Sequence, residues 1–290
     1  MSLLSIERKT AIVGLLILVG VVVMATLQYR AVSDYQTLGD LRLLISDIES
    51  NIFTLRRDEK DFLTRKDLQY QRRFNDSFQV MLKNLMALRT GLEGRGVEGA
   101  KTDRLKETLD TYRNRFLGMV KLQQEIGFNH QEGLYGSMRS AIHRVEDILQ
   151  TTQQYQLLTD MLMLRRHEKD FMLRNDIQYS EKFDKHMAIM RTDLSTAYLH
   201  HGVKREIGTA LAAYEKDFKA LVSATRQMGL DSDEGMQHQI RVSILESEEI
   251  LEELRQALLS FESESGSYMI NQIIAFAVVL TLLVGTLVRS

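Results

Sequence analysis

Residues 55–74, LRRDEKDFLTRKDLQYQRRF, recur as residues 164–183, LRRHEKDFMLRNDIQYSEKF, with 12 of these 20 positions identical. A second segment also occurs twice, as residues 126–139, IGFNHQEGLYGSMR, and as residues 228–241, MGLDSDEGMQHQIR. Two pairs of aromatic residues have the same separation along the chain as the two copies of this second segment. They are Tyr112/Tyr214 and Phe116/Phe218. Two segments that repeat in the same order indicate that the chain contains an internal duplication.

The composition predicts that both copies are helical. None of the 290 residues is proline, which breaks helices because it lacks a backbone N–H and which is frequent in the turns of all-β folds. Glycines predict breaks at residues 91–99, at 127–133, at Gly202 beside His200 and His201, and at 229–235. Between these breaks apolar residues recur at helical spacing, as in Ile244, Leu251 and Leu254. We therefore expect an all-α fold. Each copy should hold a helix with the EKDF motif, a second helix that Asp67 or Asp176 caps, and a third helix after a glycine-containing turn.

Two apolar segments near the ends of the chain predict membrane spans. Residues 11–29 and residues 268–288 are almost entirely uncharged and apolar, and a helix of about 20 apolar residues crosses a bilayer. The first segment is longer than the apolar core of a signal peptide, about 7–15 residues, and no A-x-A cleavage site follows it. We therefore expect it to be a permanent anchor.

The charged residues beside the two spans predict their orientation. Arg8 and Lys9 precede the first span, and Arg289 follows the second. Because basic residues stay on the cytoplasmic side, residues 30–267 should form one domain outside the cytoplasm. The remaining residues, 1–10 and 289–290, should then be cytoplasmic.

The repeated motif places a charged residue where a helix bundle needs an apolar one. At spacings of three and four, Glu59 lies in line with apolar residues of its helix, and Glu168 does so in the second copy. A buried carboxylate must be paired or neutralised, and the candidate partners are Arg56, Arg165, Arg139 and Arg241. One interpretation is a structural ion pair that fixes the helix register. The other is that the excess of cations beside the glutamates binds a small carboxylate.

Several classes of function are disfavoured by the composition. The chain has no cysteine and a net charge of −2, which excludes disulfides and thiolate sites and disfavours nucleic-acid binding. The histidines show no H-E-x-x-H or other metal-ligand spacing, and the adjacent pair His200 and His201 is too close in sequence to form a closed ligand set. We expect no enzyme activity, no catalytic residue, no cofactor and no metal site.

The paired R-R-x-E-K-D-F-x-x-R motifs, the Glu-Gly turns and the flanking apolar segments resemble the helical bimodular sensor domain of bacterial chemoreceptors and some sensor histidine kinases. The resemblance covers essentially the whole chain. It implies two stacked four-helix-bundle modules, about residues 30–150 and 151–267, flanked by two transmembrane helices in the bacterial inner membrane. It also implies a periplasmic sensor domain that works as a homodimer in chemotaxis and that binds small organic acids.

Carried onto this chain, the resemblance predicts carboxylate-binding arginines in both copies. They are Arg56, Arg57 and Arg139 in the first copy and Arg165, Arg166 and Arg241 in the second, beside the buried charges Glu59 and Glu168. The copies differ in sequence at several positions, so we expect different ligands or one silent module. Binding should displace the last helix, Gly235 to Arg289.

The resemblance leaves the output of the receptor open. A chemoreceptor continues past its second span into a HAMP domain and a cytoplasmic signalling module, and this sequence ends at Ser290. We therefore expect the chain to be the sensor part of a longer receptor. The alternatives are the sensor part of a histidine kinase and a membrane-tethered structural bundle without a ligand.

Overall fold

The computed structural model describes residues 6–94 and 99–289. The predicted cytoplasmic residues 1–5 and 290, and part of the predicted break at 91–99, lie outside the described residues. Across the described part of the chain there are eight α-helices and no strand, so the prediction of an all-α fold is confirmed. In chain order the helices are α1 (Ile6–Arg65), α2 (Leu68–Glu93), α3 (Ala100–Ile126), α4 (Gly133–Thr151), α5 (Tyr155–Arg174), α6 (Gln178–Thr196), α7 (His201–Met228) and α8 (Gly235–Arg289).

Each copy of the repeat supplies four helices rather than the three predicted. The first copy forms α1 to α4, and the second forms α5 to α8. The additional break in the first copy follows α2, where a turn begins at Gly94. In the second copy the corresponding break lies at Ala197–His200, between α6 and α7. The glycines of residues 91–99, and Gly202 with His200 and His201, predict both of these breaks, so the three-helix outline of one copy omitted a helix that the breaks already separate.

The two copies fold alike where α1 and α5 end. Lys66 and Asn175 directly follow these helices in the left-handed region, with φ of 52° and 50°. The next residues, Asp67 and Asp176, each accept a hydrogen bond from the backbone N–H two residues later, at 2.8 and 2.9 Å. A carboxylate in this position satisfies an N–H that the following helix leaves free. The predicted restart of a helix at each aspartate is therefore confirmed.

The two glycine loops before α4 and α8 also share one backbone conformation. Gly127 and Gly229 have φ of 104° and 113°, and Gly133 and Gly235 have φ of 54° and 59°. A side chain on Gly133 would place its Cβ 2.4 Å from a backbone oxygen of α3. Glycine is required in such a conformation because it has no Cβ, so the repeated glycines in the sequence mark one repeated loop.

The chain divides into two compact units, and both are discontinuous in sequence. Unit 1 comprises residues 1–53, 78–106 and 247–290, as far as they are described, and unit 2 comprises residues 54–77 and 107–246. Both copies of the EKDF motif therefore lie in unit 2.

Helices α4 to α7 form a closed ring of contacts within unit 2. Helix α4 packs on α7 and α5, and α6 packs on α5 and α7. Three buried phenylalanines from α5, α6 and α7 meet in the core, with Phe183 and Phe218 stacked at 4.0 Å and Phe171 edge-on to Phe218 at 5.7 Å. The equivalent residues of the first copy, Phe62, Phe74 and Phe116, make the same contacts. Burying one phenylalanine stabilises a fold by about 1.5–3 kcal/mol.

Unit 1 joins parts of α1, α2, α3 and α8. Its core contains apolar side chains from all four helices, including Ile48 and Leu254, and ion pairs cross from α8 to α1 (Arg255–Glu49) and to α3 (Glu253–Lys101, 3.1 Å). Helices α1 and α8 are each long and apolar enough to cross a membrane, and the side chains of their apolar stretches are almost all exposed. Helix α8 is continuous over the predicted range, Gly235 to Arg289.

Candidate functional site

The two glutamates of the repeated motif are buried and bonded to tyrosines. Glu59 and Glu168 expose only 7% and 5% of their surface. The hydroxyl of Tyr112 donates a hydrogen bond of 2.8 Å to Glu59, and that of Tyr214 donates one of 2.6 Å to Glu168. These tyrosines occupy equivalent positions in α3 and α7, so the duplication preserved a carboxylate together with its donor. The spacing of the motif suggested arginine partners, and the tyrosines come from helices distant in sequence.

Burial determines the ionisation of these groups. It raises the pKa of Glu59, and the bond from Tyr112 and the charges of Lys60 and Arg56 only partly oppose that rise. Burial and the neighbouring carboxylate also raise the pKa of both tyrosines. The phenols therefore remain protonated donors. In the second copy Lys169 adds an ion pair, with its Nζ 2.6 Å from Glu168 Oε1.

A cleft of about 520 Å³ lies beside Glu168 in unit 2. The end of α1, the loop before α4, α4 itself and α5 all contribute to its wall. Its lining is mostly polar and basic, and it consists of Lys66, Asn129, His130, Tyr135, Arg139, Ile142, His143, Arg165, Glu168, Lys169 and Met172. A volume of this size is typical of small-molecule sites, about 300–1,000 Å³.

The cleft contains more positive than negative charge. Four lysine and arginine side chains line it, and Glu168 is the one carboxylate among the lining residues. Arg165 is paired with Glu146, which lies 3.2 Å from Arg165 Nη1 and also 3.2 Å from His143 Nδ1. Among the residues that the structure describes, no carboxylate pairs with Arg139 or Lys66. An unpaired guanidinium at a concave surface is suited to hold a carboxylate or another planar anion through two parallel hydrogen bonds.

The structure groups the predicted arginines differently from the sequence repeat. Arg139 and Arg165 line the same cleft although they belong to different copies. The prediction had grouped Arg139 with Arg56 and Arg57, and Arg165 with Arg166 and Arg241, and the cleft brings together one arginine from each group. The physical reason is that α4 of the first copy packs against α5 of the second.

The other four arginines lie outside this cleft. Arg241 is exposed and pairs with Asp233 at 2.5 Å. Arg166 is exposed and lies 3.9 Å from Asp170, and Arg57 is also exposed. Arg56 is half-buried, and its charge acts on Glu59.

One loop position explains why Arg241 has a carboxylate partner whereas its equivalent Arg139 has none among the described residues. The loop before α8 carries Asp233, whose carboxylate neutralises Arg241. The loop before α4 has Gln131 at the equivalent position, and an amide has no charge to neutralise Arg139. The difference between the two copies that determines whether this arginine is paired therefore lies in the loop rather than in the EKDF motif.

The predicted site residues did not include six polar residues of the cleft: Lys66, Asn129, His130, Tyr135, His143 and Lys169. For two of them the sequence gives an indication, because the two copies differ at these positions. Lys66 corresponds to Asn175 of the second copy, and Tyr135 corresponds to Gln237. The histidines have no repeated equivalent.

Potential metal ligands do not converge in the described residues, where no three His, Asp or Glu side chains are placed to hold an ion. One of the two adjacent histidines has a structural contact instead, because the Nδ1 of His200 accepts a hydrogen bond of 3.2 Å from the backbone N–H of Gly202 at the start of α7.

No model of a protein family matches this chain, and no curated protein sequence matches it significantly.

Proposed function

We propose that this chain is the sensor part of a bacterial transmembrane receptor for small organic acids. The observation that carries the proposal is the cleft in unit 2, where the unpaired guanidinium of Arg139 lies in one wall with Arg165. Arg139 is exposed and has no carboxylate partner among the described residues, so its guanidinium is available to bind a ligand carboxylate through charge-assisted hydrogen bonds.

The surroundings of Arg139 favour a small anion over a peptide or a nucleic acid. The cleft offers cations from two helices, through Arg139 in α4 and Lys169 in α5, and apolar contacts from Ile142 and Met172. An organic acid with a short carbon chain matches both properties. A nucleic acid would need a continuous basic surface, and the chain as a whole has a net charge of −2.

The proposed architecture joins this cleft to a membrane. In it, α4 to α7 form one four-helix-bundle module, α1, α2, α3 and α8 form a second, and residues 11–29 and 268–288 cross the inner membrane. The apolar ends of α1 and α8 support this arrangement, and the basic residues outside them favour a periplasmic location of residues 30–267. The similarity of the repeated motif to helical bimodular domains supports a homodimer with a chemotactic or kinase output.

The proposed mechanism is a ligand-dependent displacement of a helix that continues into the membrane. An acid bound to Arg139 and Arg165 ties α4 to α5, and this favours one packing of the surrounding helices over another. A shift of about 1–2 Å is sufficient at helix interfaces of allosteric proteins. Helices α1 and α8 have no proline to interrupt such a shift.

Ligand binding by the full-length chain in lipid nanodiscs tests the proposal. Isothermal titration with acetate, succinate and citrate should detect at least one acid. Arg139→Ala and Arg165→Ala should each weaken that binding by about tenfold or more, because a charged hydrogen bond contributes about 1.5–3 kcal/mol.

Arg166→Ala and Arg241→Ala are matched controls, since both remove an exposed arginine outside the cleft. They should leave the affinity within twofold of the wild type. Binding of no acid would favour the membrane-tethered structural bundle, and equal losses in all four variants would refute the assignment of this cleft.

A further inference from the structure

Lys66 occupies an unusual backbone position at the edge of the cleft. It directly follows the last residue of α1, and its φ of 52° lies in the left-handed region. Asn175 occupies the equivalent position after α5 with a φ of 50°. Asparagine adopts this conformation more readily than lysine, because its short amide can bond to the local backbone. The first copy therefore has a less suitable residue at a position where the second has a favourable one.

The side chain of Lys66 is not stabilised by a carboxylate. Its Nζ lies 5.9 Å from the centre of the Tyr135 ring, a cation–π distance, and it has no acidic partner among the described residues. The side chain is half-buried and lines both the basic cleft and the smaller cavity beside it. Burial lowers the pKa of Lys66, since the ammonium loses water without gaining a counter-charge.

Lys66 combines an unfavourable backbone conformation with a charge that no carboxylate among the described residues neutralises. Such a combination is expected at residues that a function requires. A structural role explains neither feature, because asparagine would terminate the helix better. Lys66 also differs from the arginines of the cleft in its attachment, since it is covalently continuous with α1 whereas they belong to α4 and α5.

We infer that Lys66 is a ligand-binding residue, which contacts an anion in the cleft together with Arg139 and so attaches the occupied cleft to the end of α1. The inference rests on the proposed function of the cleft. It makes α1, as well as the last helix, a route by which binding reaches the membrane.

Reciprocal substitution between the two copies tests this role. Lys66→Asn in the full-length chain should leave the melting temperature without ligand unchanged or higher, because it introduces the favourable left-handed residue. The same variant should bind the tightest of acetate, succinate and citrate about tenfold or more weakly. Lys66→Arg should retain most of the affinity, and Lys66→Met should lose it as Lys66→Asn does.

Chemical labelling gives a readout that does not depend on a variant. Acylation of the wild-type protein with an amine-reactive reagent, followed by mass spectrometry, should show that the same acid protects Lys66. The exposed Lys185 in α6 is the internal control and should react equally with and without the acid.

The outcomes separate this inference from the proposed function. If the wild type binds none of the three acids, both fail. If the wild type binds an acid that Arg139→Ala loses, but Lys66→Asn binds it within twofold and labelling of Lys66 is unchanged, only the role of Lys66 is refuted. A lower melting temperature of Lys66→Asn without ligand would show a structural role and would also refute it.

Discussion

At the scale of single residues, the repeated Glu–Tyr bond is the most specific feature of the core. A buried carboxylate without a partner destabilises a fold, and an arginine would neutralise its charge. The tyrosine satisfies one carboxylate oxygen without adding a charge, and burial keeps its hydroxyl protonated. The other carboxylate oxygen of Glu168 pairs with Lys169 at the wall of the cleft. The bond therefore contributes to the packing of the core and to the position of a charged residue in the cleft.

Tyr214→Phe tests this feature. The variant keeps the ring and removes the donor to Glu168, so we expect a loss of about 1–3 kcal/mol in the free energy of unfolding. Urea denaturation of the full-length chain in detergent, followed by far-ultraviolet circular dichroism, measures the loss. Tyr198→Phe is the control, because Tyr198 is fully exposed and its hydroxyl makes no buried contact. Equal stability of the two variants would contradict the role of the bond.

At the scale of helices, the α5–α6 pair of the second copy carries different charged groups from the α1–α2 pair of the first. His167 of α5 lies edge-on to His186 of α6, with ring centres 5.2 Å apart. One helical heptad away, Asp160 of α5 is buried near Asp193 of α6, and burial together with that carboxylate raises the pKa of Asp160. The first copy has Asp58 in place of His167 and pairs it with Arg73 at 3.0 Å. Two like-charged pairs between neighbouring helices make this interface sensitive to protonation.

His167 predicts the direction of a pH dependence. Burial lowers its pKa, and the nearby cations His186, Lys182 and Arg166 lower it further, while Asp170 opposes them. A histidine with a lowered pKa in the folded state binds protons less well than the unfolded chain does. Its contribution to stability is therefore complete above the unfolded value of about 6.5 and is lost as the pH falls below it.

His167→Gln should remove part of the acid sensitivity of the melting temperature. Between pH 7 and pH 5.5 the wild type should lose more stability than this variant. His201→Gln is the control, because His201 is exposed at the start of α7, and it should follow the wild type. The role of His167 would be refuted by parallel pH profiles of all three proteins, measured in the same detergent.

At the scale of the whole molecule, the proposed topology depends on the apolar ends of α1 and α8. Both helices are long and apolar enough to cross a membrane, and they approach each other closely, since a Cβ on Gly20 of α1 would lie 2.6 Å from the Leu280 side chain of α8. In the proposed topology the ligand cleft lies on the outer side of the membrane.

Cysteine labelling tests the orientation, and the absence of native cysteine makes every introduced one unique. A membrane-impermeant maleimide should label Ser232→Cys in intact cells with a permeabilised outer membrane. It should label Ser2→Cys only after the inner membrane is disrupted. The reverse pattern would contradict the proposed topology.

The helices, most of their ends and the duplication were predictable from the sequence because they depend on local properties. The sequence features that specify these elements act within a few residues of their own position. They are the absence of proline, the spacing of apolar residues, the capping aspartates and the repeated glycines. The burial of Glu59 and Glu168 was predictable for the same reason, since it follows from the spacing of residues along a single helix.

The partners of the charged residues were decided only by the tertiary structure. Arg139 and Arg165 belong to different copies and lie in one cleft because α4 packs against α5, and the same packing pairs Arg165 with Glu146 of α4. Lys66 joins the cleft through a left-handed backbone position that its neighbours in sequence do not specify. Electrostatic pairing depends on the distances between charged groups, and in this cleft those groups come from residues that are far apart along the chain. The repeated motif therefore determined which charged residues this protein has. It did not determine which of them are left without a partner in the folded chain.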